Sequence, residues 1–118
     1  MIQSLNSKVD FVVDATYYNT FHSYGKIMIG NESFEFYNNF NPKKCIQIKW
    51  ENIDKIIATV KFKGKWIPRF SIITKDNNVY YFSCKQPLQL LKIMRNYIDS
   101  EKMTRSLTIF DSIKRKFK

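Results

Sequence analysis

The feature that most constrains this chain is a change of hydrophobic period. From Val9 to Cys84 apolar residues recur at every second position, and from Pro87 onward they recur at helical spacing. In the first strand Val9, Phe11, Val13, Ala15 and Tyr17 share one parity, with Asp10, Asp14 and Thr16 on the other. Ile27 and Ile29 lie opposite Lys26, Gly30-Asn31-Glu32 supplies a hairpin turn, and Phe34 and Phe36 alternate with Glu35 and Tyr37. After a polar loop containing Pro42, Ile46, Ile48 and Trp50 alternate with Cys45, Gln47 and Lys49. A longer strand follows, with Ile56, Ala58, Val60 and Phe62 inward. Gly64 and Pro68 bracket a turn, Phe70 and Ile72 resume the alternation, and Asp76-Asn77-Asn78 turns the chain again toward Tyr80, Phe82 and Cys84.

Short loops between successive strands favour antiparallel pairing. The helical stripe then runs through Pro87, Leu90, Leu91, Met94, Tyr97 and Ile98, with Pro87 at the first helical position and Gln89, Lys92 and Asn96 on the other face. The reading is an α+β fold: about seven strands in a bent antiparallel sheet or barrel, capped by a C-terminal helix. Residues 1–100 form this domain. Residues 101–118 form a short basic tail, in which Leu107, Phe110, Ile113 and Phe117 recur at helical spacing among Lys114, Arg115, Lys116 and Lys118. Thr108 to Asp111 resembles a capping box, with Asp in place of Glu or Gln.

With 118 residues, 44% of them hydrophobic, the chain has enough material for a core without disulfide staples. Its formal charge of +10 is lopsided: residues 1–60 balance six lysines against six acids, whereas residues 61–118 set fourteen Lys and Arg against four acids. Such asymmetry points to an anionic partner, whether nucleic acid, membrane surface or acidic protein, or else to plain solubilisation. Cys45 and Cys84 are set on opposite faces by the alternation, so no bond between them is expected. No apolar run approaches membrane-spanning length and no signal peptide opens the chain, so a cytoplasmic protein with at most peripheral membrane contact is expected.

Catalytic signatures are missing from the sequence. A single histidine, His22, two cysteines without metal-ligand spacing and no glycine-rich phosphate loop argue against an enzyme, a metal site or a bound cofactor. Asp10 and Asp14 could be paired carboxylates, but a solvated strand face accounts for them more simply. The most informative segment is Lys61 to Arg69. Lys61, Lys63, Lys65 and Arg69 surround Trp66 without an acid, and the sequence places Trp66 and Ile67 at the tip of a hairpin. Cations around an amphipathic ring suit an anionic protein or lipid surface, with Trp66 as anchor; the competing reading folds Trp66 down as a lid on its own sheet. The tail stripe of Leu107, Phe110, Ile113 and Phe117, with Lys114 and Arg115, has three uses open to it: packing on its own sheet, pairing with a second copy, or meeting a membrane or partner.

Several segments together resemble the ManO family. They are Gln3-Ser4-Leu5-Asn6-Ser7-Lys8-Val9-Asp10, Tyr24-Gly25-Lys26-Ile27-Met28, Phe34-Glu35-Phe36-Tyr37-Asn38, Phe62 to Phe70, and the ending Arg105-Ser106-Leu107, Phe110-Asp111, Ile113-Lys114-Arg115. The resemblance implies association with mannose-type sugar phosphotransferase operons. It brings no catalytic residues. The order of elements also looks like a pleckstrin-homology-like, GRAM-type barrel, a fold-level analogy that favours binding of lipids or proteins. Two functions follow as expectations. The first is a non-catalytic accessory or regulatory module docking, through Lys61, Lys63, Lys65, Trp66 and Arg69, on a mannose-type phosphotransferase component or the inner membrane face beside it. The second is a regulator that binds operator DNA, disfavoured because cations on a sheet loop without a groove-sized helix read no bases and no helix-turn-helix precedes the tail.

Overall fold

The computed structural model describes residues 4–18, 22–41, 43–61 and 66–107, with backbone alone at 60, 61, 66 and 105–107. Eight strands form one sheet: β1 (Val9–Tyr18), β2 (Ser23–Gly30), β3 (Ser33–Asn38), β4 (Cys45–Lys49), β5 (Ile53–Lys61), β6 (Trp66–Thr74), β7 (Val79–Cys84) and β8 (Met103–Leu107). A single α-helix among the described residues, α1 (Pro87–Met94), lies between β7 and β8. The sheet order is β4-β3-β2-β1-β7-β6-β5-β8, with β1 through β7 joined antiparallel and β8 parallel to β5.

The alternation seen in the sequence is what the sheet buries. Val13, Ala15, Ile27, Ile29, Phe34, Phe36, Ile48, Ile56, Ala58, Phe70, Ile72 and Phe82 all face the core. Phe82 of β7 sits at its centre, with ring centroids 5.1 Å from Phe34, 5.6 Å from Phe36, 5.8 Å from Phe70 and 5.2 Å from Tyr17. Phe34 also reaches Phe70, at 6.4 Å. In a flat sheet their strands, four steps apart in the order, would be roughly 19 Å apart. The sheet is therefore strongly bent, which brings its two halves face to face. Gly25 permits close packing inside this bend: it lies between Ala15 and Asn38, and a Cβ there would run into the Tyr37 carbonyl.

Two expectations need correction. The sheet does not close into a barrel and is not all antiparallel, because β4 and β8 remain its two edges and β8 runs parallel to β5. Residues 103–107, assigned to a helical tail by their spacing to Phe110, Ile113 and Phe117, are a strand. The free edge of β5 offers unpaired backbone groups, and Met-Thr-Arg-Ser-Leu satisfies them in register, Ile56 opposite Met103 through Val60 opposite Leu107. Phe110, Ile113, Lys114, Arg115 and Phe117 lie outside the described residues, as does the Thr108–Asp111 capping pattern.

The helix starts as expected, with Pro87 at its first position, and buries Leu90, Leu91 and Met94. It stops at Met94, so the last members of the stripe reach inward from a following turn, where the Tyr97 and Ile98 amides donate to the Met94 carbonyl. Ile98 is buried, and Tyr97 stacks on Trp50 at 5.1 Å with the rings 5° from parallel. Trp50 sits in the short 3-10 turn Trp50–Asn52 at the corner between β4 and β5, and its Nε1 donates to the Gly30 carbonyl at 2.9 Å. At the β6–β7 turn Asn77 takes the left-handed conformation, φ 69°, that the Asp76-Asn77-Asn78 signal predicts.

Candidate binding surfaces

The basic hairpin is built on β5 and β6. Thr59 pairs with Arg69 and Lys61 with Trp66, with a register shift between them that accommodates Pro68 in a strand interior. Trp66 therefore opens β6, where the sequence suggested a turn tip, and Ile67 turns into the core at 6% exposure. The side chains of Lys61 and Trp66, and the residues Lys63 and Lys65, lie outside the described set. Arg69 is exposed, and its guanidinium lies 4.3 Å from the Tyr18 ring centroid, a cation–π contact that orients it on the outer face of the sheet. Tyr18 is itself fixed, its hydroxyl 2.9 Å from Ser83 Oγ, and His22 meets it edge-on at 4.8 Å.

The other polar candidates separate. Asp14 is bridged by Lys26 Nζ at 3.1 Å and Lys85 Nζ at 3.6 Å, and the hydrogen bond and charge of Lys26 hold its carboxyl below the usual range. Asp10 accepts a hydrogen bond from the Tyr97 hydroxyl, which pushes the phenol pKa up. The two aspartates thus serve different partners and do not act as a pair. Both cysteines are free and half-buried. Burial raises the Cys84 thiol from 9.0 to about 11, and burial followed by the nearby Glu35 charge raises that of Cys45.

One polar cluster has no counterpart in the sequence reading. Glu35, on the outward parity of β3, is fully buried under the segment preceding β1. Its carboxylate accepts from Ser4 Oγ at 2.5 Å, the Leu5 amide at 2.8 Å, Asn6 Nδ2 at 3.4 Å, the Tyr37 hydroxyl at 3.0 Å and Gln47 Nε2 at 3.1 Å. Asn6 Oδ1 in turn accepts from the Glu32 and Ser33 amides, both at 2.8 Å, while Asn31 Oδ1 accepts from the Ser7 and Lys8 amides. This clasp ties the N-terminal segment to the β2–β3 turn. Gly30 belongs to it, since a Cβ there would press into Asn6 and Lys8. The only advance signal was Ser4-Leu5-Asn6-Ser7, a string of residues that bond backbone groups locally; their distant partner was not readable.

Among the described residues no helix is long and apolar enough to cross a membrane, and no group of three His, Cys, Asp or Glu side chains could hold a metal ion.

A bent eight-stranded mixed sheet with one packed helix among the described residues defines a small α+β domain. The chain belongs to the family described as Domain of unknown function (DUF956), whose model matches residues 1–117. No curated protein matches it. Among solved structures it is similar to the C-terminal domain of an unknown protein from Leishmania infantum, with TM-score 0.66 and 13% identity over 76% of this chain and 83% of that one. It is also similar to a chain of the Spt16D Pob3N heterodimer, with TM-score 0.59 and 10% identity over 84% of this chain and 56% of that one. At such identities the likeness concerns the fold alone.

Proposed function

We propose that this protein is a non-catalytic accessory or regulatory module of a mannose-type sugar phosphotransferase system. It docks on a transporter component, or on the inner membrane face beside it, through Lys61, Lys63, Lys65, Trp66 and Arg69. The system is inferred from the resemblance of the Phe62–Phe70 segment and its companions to the ManO family. One observation supports the docking surface: Lys61 and Trp66 pair across β5 and β6, and Arg69 is exposed on the same strand as Trp66. Oriented cations beside an aromatic anchor favour fast encounter with a negative surface and slow release. Docking is favoured over operator DNA reading because α1 is eight residues long and turns Leu90, Leu91 and Met94 into the core.

The test is co-purification of the tagged protein with mannose-type transporter subunits, alongside sedimentation with anionic liposomes. Trp66→Ala combined with Lys65→Glu should abolish recovery in whichever assay the parent protein passes, with an unchanged circular dichroism spectrum. Recovery by the variant equal to the parent's, or failure of the parent in both assays, would overturn the docking surface.

A further inference from the structure

A second surface lies between α1 and the β5–β6–β8 corner. It is a groove of about 330 Å³, at the lower end of the roughly 300–1,000 Å³ typical of small-molecule sites. Its floor is apolar. Ile56 and Ala58 of β5, Ile67 of β6 and Met103 of β8 form the base, and Leu88 and Leu91 of α1 form one wall. Ala58 contributes only a methyl to a row otherwise made of larger side chains, which leaves space between β5 and α1, itself packed against β1 and β6.

The rim has one sign. Lys92 and Arg95, three residues apart and hence on one side of the helix, stand over the groove with the hydroxyl-bearing Ser100 and Thr104, and among the described residues no acid lines it. Both cations are exposed, and among the described residues neither joins an ion pair. They sit at the helix C-terminus, whose partial negative charge stabilises them in place. Leu88 is 48% exposed at the mouth, leaving apolar surface there for a ligand to cover.

An apolar slot with a cationic lip selects a molecule with the reverse arrangement. We propose that this groove binds a single-chain amphiphile with an anionic head, of the fatty carboxylate class. The chain lies over Ile56, Ala58, Ile67 and Met103, and the carboxylate meets the Arg95 fork and the Lys92 ammonium, with Ser100 and Thr104 as hydroxyl donors. The size of the slot fits one chain.

The experiment uses the full chain and dodecanoate below its micellar concentration. Titration is followed by calorimetry and by the methyl resonances of Ile56, Ala58 and Met103; dodecyltrimethylammonium and phosphatidylglycerol vesicles serve as controls. Saturable 1:1 binding of dodecanoate is expected, with shifts centred on those methyls. Lys92→Glu with Arg95→Glu should weaken binding at least tenfold, and Thr104→Trp, which fills the mouth from an exposed strand position, should abolish it. The Trp66→Ala, Lys65→Glu variant should bind as the parent does, which separates this site from the docking hairpin. The proposal fails if dodecanoate does not saturate, if the cationic amphiphile binds equally well, if charge reversal changes nothing in a folded variant, or if only the vesicles bind.

Discussion

The two halves of the sheet treat their charged groups in opposite ways. In the β1–β4 half three acids are engaged: Glu35 lies under the N-terminal segment with five donors around it, Asp14 is shared by Lys26 and Lys85, and Asp10 accepts from the Tyr97 hydroxyl. In the β5–β8 half the cations outnumber anything that could pair with them, and Arg69, Lys92 and Arg95 are left on the surface. The difference teaches that net charge alone is a poor guide to where a protein binds. What matters is whether each charge is already satisfied by its own fold. A balanced half can consume its acids in structure, and an unbalanced half exports its cations.

That contrast can be broken first at the seam. Phe82 touches Phe34 and Phe36 from one half and Phe70 from the other, so Phe82→Ala should cost about 3–5 kcal/mol, enough to unfold a domain of ordinary stability. Denaturant titration measures this, and a loss under 1 kcal/mol would mean the halves do not depend on their shared ring cluster. The next largest effect belongs to the clasp. Glu35→Ala strands buried donors and should cost about 1–3 kcal/mol, with faster amide exchange confined at first to residues 5–8 and to Glu32 and Ser33. Exchange that rises uniformly over the sheet would show that the carboxylate supports the core and not the N-terminal segment.

These two sites also mark how far the sequence could be read. Phe82 was legible, because strand parity alone sends Phe70, Phe82 and Phe34 inward, and the Gly30-Asn31-Glu32 and Asp76-Asn77-Asn78 turns fixed the hairpins that align them. Glu35 was not: alternation puts it on the wet face, and only a segment some thirty residues away covers it. The strand Met103–Leu107 was hidden for a related reason, since its five residues are shorter than the helical stripe beginning at Leu107, and its partner β5 is remote in sequence. Parity reports the face of a local strand. It is silent about which remote segment covers that face or pairs with an edge. Lys92 was likewise visible on the polar face of α1 with Gln89 and Asn96, but the groove beneath it depends on β8.

A gentler probe compares the two thiols. Cys84, pushed to about 11 by burial, should carry roughly a hundredfold less thiolate near pH 8 than an ordinary thiol, and should be alkylated more slowly than Cys45 in the folded protein. Its contribution to stability has a definite sign. Below its ordinary value of 9.0 both folded and unfolded chains keep the proton; between 9.0 and about 11 only the folded chain does, so stability falls as pH rises through that window and Cys84→Ser flattens the decline. Equal labelling rates at the two cysteines would contradict the environment described for Cys84.

The smallest expected effect is at Asp14, where a lowered carboxyl pKa adds stability above the unfolded value and loses it as pH falls through the folded one. Asp14→Asn should lower the melting temperature only slightly near neutrality, less so in high salt, with the effect fading in acid as the native carboxylate takes up its proton. A large, salt-independent loss would reveal a role beyond bridging Lys26 and Lys85.

The parallel seating of β8 has a consequence for biosynthesis. A ribosome must release β6, β7 and α1 before Met103 can find Ile56, so β8 completes a wall whose other parts were made much earlier. Nascent chains stalled before Met103 would present β5 as a bare rim, open to pairing with any extended peptide nearby. Completion of the groove thereby waits on synthesis through this strand, and a product truncated before it would leave that edge uncovered.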